Sequence, residues 1–222
     1  LIFIYLGIAN YYSPQSVSER FIDNESQLLE LFSDDAASVL LKEHFTVGLF
    51  FNSYYHKYLK IYSYDEPEEI VARVSRSFYQ KHKANIGMSI YQRDERTAKT
   101  TTIPTSPGFY FINDPTYGFW ELGTNGQRYW EFHRAYKSYP KYFNWNKFRP
   151  DIPFFQSALQ AFNAGKTFYG PNNEFGTQGT LRPTPTSDFS IMGKGKFHLI
   201  QELRFFFRLP HKIQEIKKGE SK

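Results

Sequence analysis

A chain of 222 residues without a cysteine excludes a disulfide frame, a thiolate metal site and a cysteine nucleophile. Its 23 Phe, 17 Tyr and 3 Trp supply enough large side chains to bury a core in one domain, which excludes disorder over most of the length. The net charge of +5 sits at one end: from residue 193 onward eight Lys and Arg stand against three Glu, and the rest is neutral.

In chain order, LIFIYLGIAN comes first. It is short of the roughly twenty apolar residues that cross a hydrocarbon core. Three readings fit it: the end of a membrane anchor with Tyr11 and Tyr12 at the interface, the remnant of an export signal, or a buried element. Ser16 and Glu19 then form a capping box ahead of Phe21, Leu28 and Phe32 at helical spacing, which predicts a helix. SDDAASVLLKEHF predicts a second helix, entered through Ser33 or Asp34. YDEPEEIVARVSRSFYQKHK carries the strongest helix signature. Its start is acidic with Pro67 in the first turn, its end is basic at Lys81, His82 and Lys83, and Ile70, Val71, Val74 and Phe78 make a stripe.

Between these segments, FTVGLFFNSYYHKYLKIYSY predicts two strands that turn at Asn52-Ser53. On the second, Leu59 and Ile61 share a face with Lys57, and Tyr58, Lys60, Tyr62 and Tyr64 line the other. Aromatic rings interleaved with a cation point to a contact surface, protein first and nucleic acid last, because one lysine is a thin electrostatic footprint. NIGMSIYQ, TTTIP and PGFYFIND continue the strand pattern. From Pro140 the chain is broken by Pro150 and Pro153 into an aromatic-pinned connection, with FFQSALQAF as one short helix. YGPNNEFGTQGTLRPTPTSD reads as an extended segment. The last stretch reads either as a helix, with Gln201, Arg204, Arg208 and Lys212 as its polar stripe, or as a strand through Phe205, Phe207 and Leu209. Arg204, Arg208 and Lys212 join the tyrosine stripe as candidate binding residues for an acidic partner or anionic lipid, and a nucleic-acid binder acting through this basic tail is the last-ranked reading of function.

GFWELGTNGQRYWEFH, residues 118–133, predicts a hairpin whose loop sets which side chains share a face. A two-residue loop, Asn125-Gly126, would set Leu122 opposite Tyr129 and Glu121 opposite Trp130 and mix both faces. A three-residue loop, Thr124-Asn125-Gly126, sorts the faces better: it places glycine at the left-handed position and sets Trp120 opposite Trp130. Trp120, Leu122, Trp130 and Phe132 then line one face; Phe119, Glu121, Tyr129, Glu131 and His133 line the other. Glu121, Glu131 and His133 are the candidate catalytic set, as acid, base and orienter of a hydrolase acting on a glycan or similar polar polymer. The competing and favoured reading makes this the wet face of a half-buried sheet.

The six histidines, at 44, 56, 82, 133, 198 and 211, show no metal-ligand spacing, and GKGK at 193–196 lacks the P-loop pattern. No nucleophile elbow or dinucleotide fingerprint occurs, so neither a cofactor nor a metal is expected. The sequence therefore predicts an α+β fold: N-terminal helices on a mainly antiparallel sheet over residues 13–165. Residues 1–12 are set apart as anchor or signal remnant, and residues 166–222 form a long extension. Helices leading into a meander resemble the cone-shaped folds of the nuclear-transport-factor type, a likeness of architecture that implies no function. The expected role is a non-enzymatic assembly subunit, membrane-associated or extracytoplasmic, with protein partners and membrane contact through residues 1–12 and the basic end.

Overall fold

Phe21–Ile22 (β1), Glu68–Val74 (β4), Ser53–Ile61 (β3), Ser38–Val47 (β2), Ser89–Arg93 (β5) and Thr100–Thr101 (β6) lie side by side, in that order, in one sheet. Only the β1–β4 pair is parallel. The computed structural model describes residues 21–33, 36–47, 52–94 and 99–183. The helix start at Ser16, the strand expected over 48–51, and Arg204, Arg208 and Lys212 lie outside them. The class is α+β, as the sequence predicts, but several helices are strands.

SDDAASVLLKEHF forms β2 from Ser38 onward instead of a helix. The reason is burial on both faces: Val39 and Leu41 belong to one apolar layer and Leu40 to the other. A strand covered on both sides reads as an unbroken apolar run, which periodicity alone does not separate from a helix. The second correction falls on residues 64–83. Ile70, Ala72 and Val74 alternate into the core of β4, and the helix is confined to Arg76–Lys81 (α2), capped by the Ser75 hydroxyl accepting from Phe78 N–H at 3.1 Å. Small Ala72 fills the inward position that completes the period of two, so β-branched Val71 points away from this layer. The N-terminal helix is also shorter than predicted. It spans Glu25–Leu31 (α1) behind an Asn24 cap, and Phe21 and Ile22 pair with β4.

The two helices α1 and α2 cover one face of the sheet, through Leu28, Phe32 and Phe78 against Val39, Leu41, Tyr58 and Ile70. The other face carries an aromatic layer supplied by everything after β6. The hairpin Gly118–Leu122 (β7) and Arg128–Phe132 (β8) adopts the predicted register, Trp120 opposite Trp130, with Gly126 at φ +80°. The turn Tyr139–Tyr142 (α3) and the helix Ile152–Asn163 (α4, the short helix read from FFQSALQAF) follow. Phe111, Tyr139, Phe143 and Trp145 sit at the centre of this layer, ring against ring. Each such side chain contributes about 1.5–3 kcal/mol by leaving water. Beyond α4 the chain is irregular, yet Phe175 is 3% exposed and belongs to the same layer, with Phe168, Tyr169 and Leu181 packed on it. Among the described residues no helix is long and apolar enough to cross a membrane.

One glycine is fixed by this packing. Gly108 has φ +79°, and a Cβ there would stand 2.6 Å from Trp145 Cζ2 and 2.7 Å from Phe143 Cδ2. Gly108→Ala is expected to cost about 2 kcal/mol or more, from left-handed strain together with overpacking. Chemical denaturation checks it: an unchanged midpoint would mean that the 143–145 rings are not locked against this turn.

Candidate functional site

The outward face of the hairpin holds the carboxylates singled out in the sequence. Glu121 opposes Tyr129 and Glu131 opposes Phe119, so the two acids are diagonal neighbours. Arg149 spans them. Its Nη2 lies 3.0 Å from Glu121 Oε2, Nε lies 2.9 Å from Glu131 Oε1, and Nη2 also bonds the same Glu131 oxygen. The guanidinium is 4.8 Å from the Tyr129 ring centroid, and hydrogen bonding to Glu131 raises its pKa further. Glu121 and Glu131 side chains are 53% and 37% exposed. His133 is engaged elsewhere, with Nε2 at 3.0 Å from the Pro115 carbonyl and its ring tilted over Phe119. This is a solvated face closed by an ionic latch, in which the arginine holds one oxygen of each carboxylate. Arg149→Met is expected to change stability by no more than about 1 kcal/mol, less at high salt, as for exposed ion pairs. Urea unfolding at low and high ionic strength reads this out; a loss of several kcal/mol would mark the cluster as part of the core.

The tyrosine stripe does not form one surface. Tyr58 is fully buried, edge-on to Phe32, because the face it shares with His56 lies under α1 and α2. Lys60 pairs loosely with Glu68 at 3.9 Å and stands 5.1 Å from the Tyr62 ring centroid, and the Tyr62 hydroxyl donates to Glu68 Oε2 at 2.9 Å. Tyr64 alone of the four is widely open, 80% exposed.

Two groupings escape a reading of the sequence. The first is histidine. A register shift between Leu41 and Glu43 inserts one extra residue into β2, so His44 lands opposite His56 on the helix-covered face, and His82 enters from the end of α2. Ring centroids are 6.4 Å apart for His44–His56 and 6.2 Å for His56–His82. One nitrogen of each ring is bonded: His56 Nδ1 to the Tyr58 hydroxyl at 3.0 Å, His44 Nδ1 to the Tyr79 hydroxyl at 2.8 Å, His82 Nδ1 to Asn85 Nδ2 at 3.2 Å. The Nε2 of each is sealed without a hydrogen bond; His82 Nε2 is 3.8 Å from Glu25 Oε1, too far for one. Burial lowers the pKa of all three, well below the ordinary value for His56 and to about 4 for His82. Among the described residues no three His, Asp or Glu side chains could hold a metal ion together.

The second grouping is aromatic and runs along α4. Phe154 and Ala158 are its buried side, while Phe155 and Phe162 are half-buried and Leu159 is 38% exposed. Trp120 meets Phe155 at 6.2 Å between centroids, and Leu122, on the same hairpin face, is 67% exposed. Beside Phe155 and Phe162 a cavity of about 260 Å³ opens against the ends of β5 and β6. No family model, no curated protein and no solved structure matches this chain.

Proposed function

We propose that the chain is a non-enzymatic assembly subunit of a membrane-associated or extracytoplasmic complex, and that it docks a protein partner along α4. The observation that carries this reading is the composition of a surface helix. IPFFQSALQAFN contains no charged residue, although Gln156, Ser157, Leu159, Gln160 and Asn163 all face solvent. An exposed helix normally carries charges on its wet side. Their loss next to half-open rings is the composition of the centre of a protein–protein contact, where charged residues are depleted and aromatics enriched. The partner that fits is a protein surface presenting apolar and aromatic side chains rather than an acidic or basic one. The apolar opening segment and the basic end of the sequence support a place at a membrane surface.

Purification of the native particle from membranes of the source cell tests this. The expected particle is heavier than the 26.2 kDa chain, and the double variant Leu122→Glu/Leu159→Glu is expected to release a folded monomer. Both positions are exposed, so this variant loses little stability of its own. A wild-type chain recovered as a monomer would refute the proposal.

A further inference from the structure

We infer that the cavity at the ends of β5 and β6 is a binding subsite for a flat aromatic group that donates one hydrogen bond, such as an indole or a phenol. Its apolar wall is built from Phe109, Tyr110, Ile112, Phe155 and Phe162. Phe109 lies between the two α4 rings, 5.8 Å from Phe155 and 5.6 Å from Phe162 between centroids. Such walls receive another ring by edge or offset contact. At about 260 Å³ the space suits one ring or two fused rings, below the range of sites that enclose larger ligands.

The polar end of the cavity selects within that class. Gln92 is only 2% exposed, and the cavity it lines is its route to solvent. Its amide nitrogen donates to the Thr105 hydroxyl, and its amide oxygen has no hydrogen-bond partner among the described residues. That oxygen is not sealed from the solvent of the cavity, so an incoming N–H or O–H on an aromatic group would replace water on it. Asp94 and Lys99, which also line the cavity, carry opposite charges that offset each other, so a neutral group fits better than an ion. The N–H or O–H ring has two sources: a free small molecule, or a Trp or Tyr side chain of the docked protein. The second deepens the α4 reading, because Phe155 and Phe162 belong to both surfaces.

The test uses the full chain and three probes differing in one feature: indole, 1-methylindole, which lacks the donor, and toluene. Amide resonances of Thr100 and Thr101, which line the cavity, report binding by NMR. Indole is expected to shift both and to bind roughly 3- to 10-fold more tightly than 1-methylindole or toluene, the contribution of one hydrogen bond. Gln92→Met, close in volume, is expected to remove that preference and leave toluene binding in place; if this variant does not fold, the wild-type ranking decides alone. A tripeptide Gly-Trp-Gly binding more tightly than indole assigns the slot to a partner's side chain, and the reverse assigns it to a free ligand. Equal affinity for the three probes, or no shift at Thr100 and Thr101 up to the solubility of indole, would overturn the subsite. Indole binding retained by a monomeric wild-type chain would sink the docking proposal and keep this one.

Discussion

Acidification from about pH 7.5 to about pH 5 is expected to remove about 2 kcal/mol of folding stability through His82 alone. Its folded pKa is about 4, against about 6.5 when unfolded, so in this window the unfolded chain binds a proton that the folded chain refuses. Stability is therefore complete above the unfolded value and falls progressively as pH drops from there toward the folded one. His56 and His44 act in the same direction, since burial lowers both and His82 and His44 oppose a charge on His56. The surroundings do little to offset this. Tyr54, Tyr58 and Tyr79 face the cluster as neutral groups, Lys81 and Lys83 disfavour further positive charge, and Glu25 and Glu43 are the acids within reach. Glu25 is already bound to Lys81. Denaturant midpoints across the pH series give the slope, and His82→Gln is expected to recover about 2 kcal/mol of the acid loss. A flat stability profile between those pH values would contradict the sealed, neutral placement of the three rings.

Trp145→Ala is expected to destabilise the fold by about 3–5 kcal/mol, a large part of the margin of an ordinary domain. The indole is 2% exposed and touches the Phe132, Phe143 and Phe148 rings at 5.7, 5.3 and 6.1 Å. Its Nε1–H donates to the Pro107 carbonyl at 3.1 Å, so the truncation leaves both a cavity and an unpaired carbonyl. Trp145→Phe keeps most of the volume and is expected to lose about 1–2 kcal/mol, mainly through that hydrogen bond. Equilibrium unfolding separates the two. A Trp145→Ala loss below about 1 kcal/mol would mean that the layer after β6 packs loosely on the sheet.

The hairpin was legible because its information is local. The three-residue loop Thr124-Asn125-Gly126 and the sorting of apolar from polar side chains select one register over that of a two-residue Asn125-Gly126 loop, and the Glu121–Tyr129–Glu131 face follows from it. The helices predicted over 33–45 and 64–83 failed for different reasons. β2 is covered on both faces, which removes the polar half of its strand pattern and leaves a run that counts equally well at helical spacing. β4 keeps the period of two, with Glu69, Val71 and Arg73 outward, but the small Ala72 hides its inward row, and the acidic residues beside Pro67 imitate a helix start. Arg149, separated from Glu121 and Glu131 by a proline-broken connection, carries no signal that it closes the acidic face. The histidine cluster depends on a single-residue bulge beside Lys42, and the cavity draws its walls from three separate segments. Neither leaves a spacing in the chain. The uncharged composition of α4 was visible in the sequence, but its meaning required knowing which side of the helix faces out.

The docking face proposed on α4 is tested most directly by a photo-crosslinking residue placed at Leu159 and, as control, at Glu30, exposed on α1 across the sheet. In native membranes the Leu159 probe is expected to yield one discrete heavier adduct, several-fold above any adduct from Glu30. Adducts of equal yield from both positions, or none from Leu159, would contradict the assignment of that face.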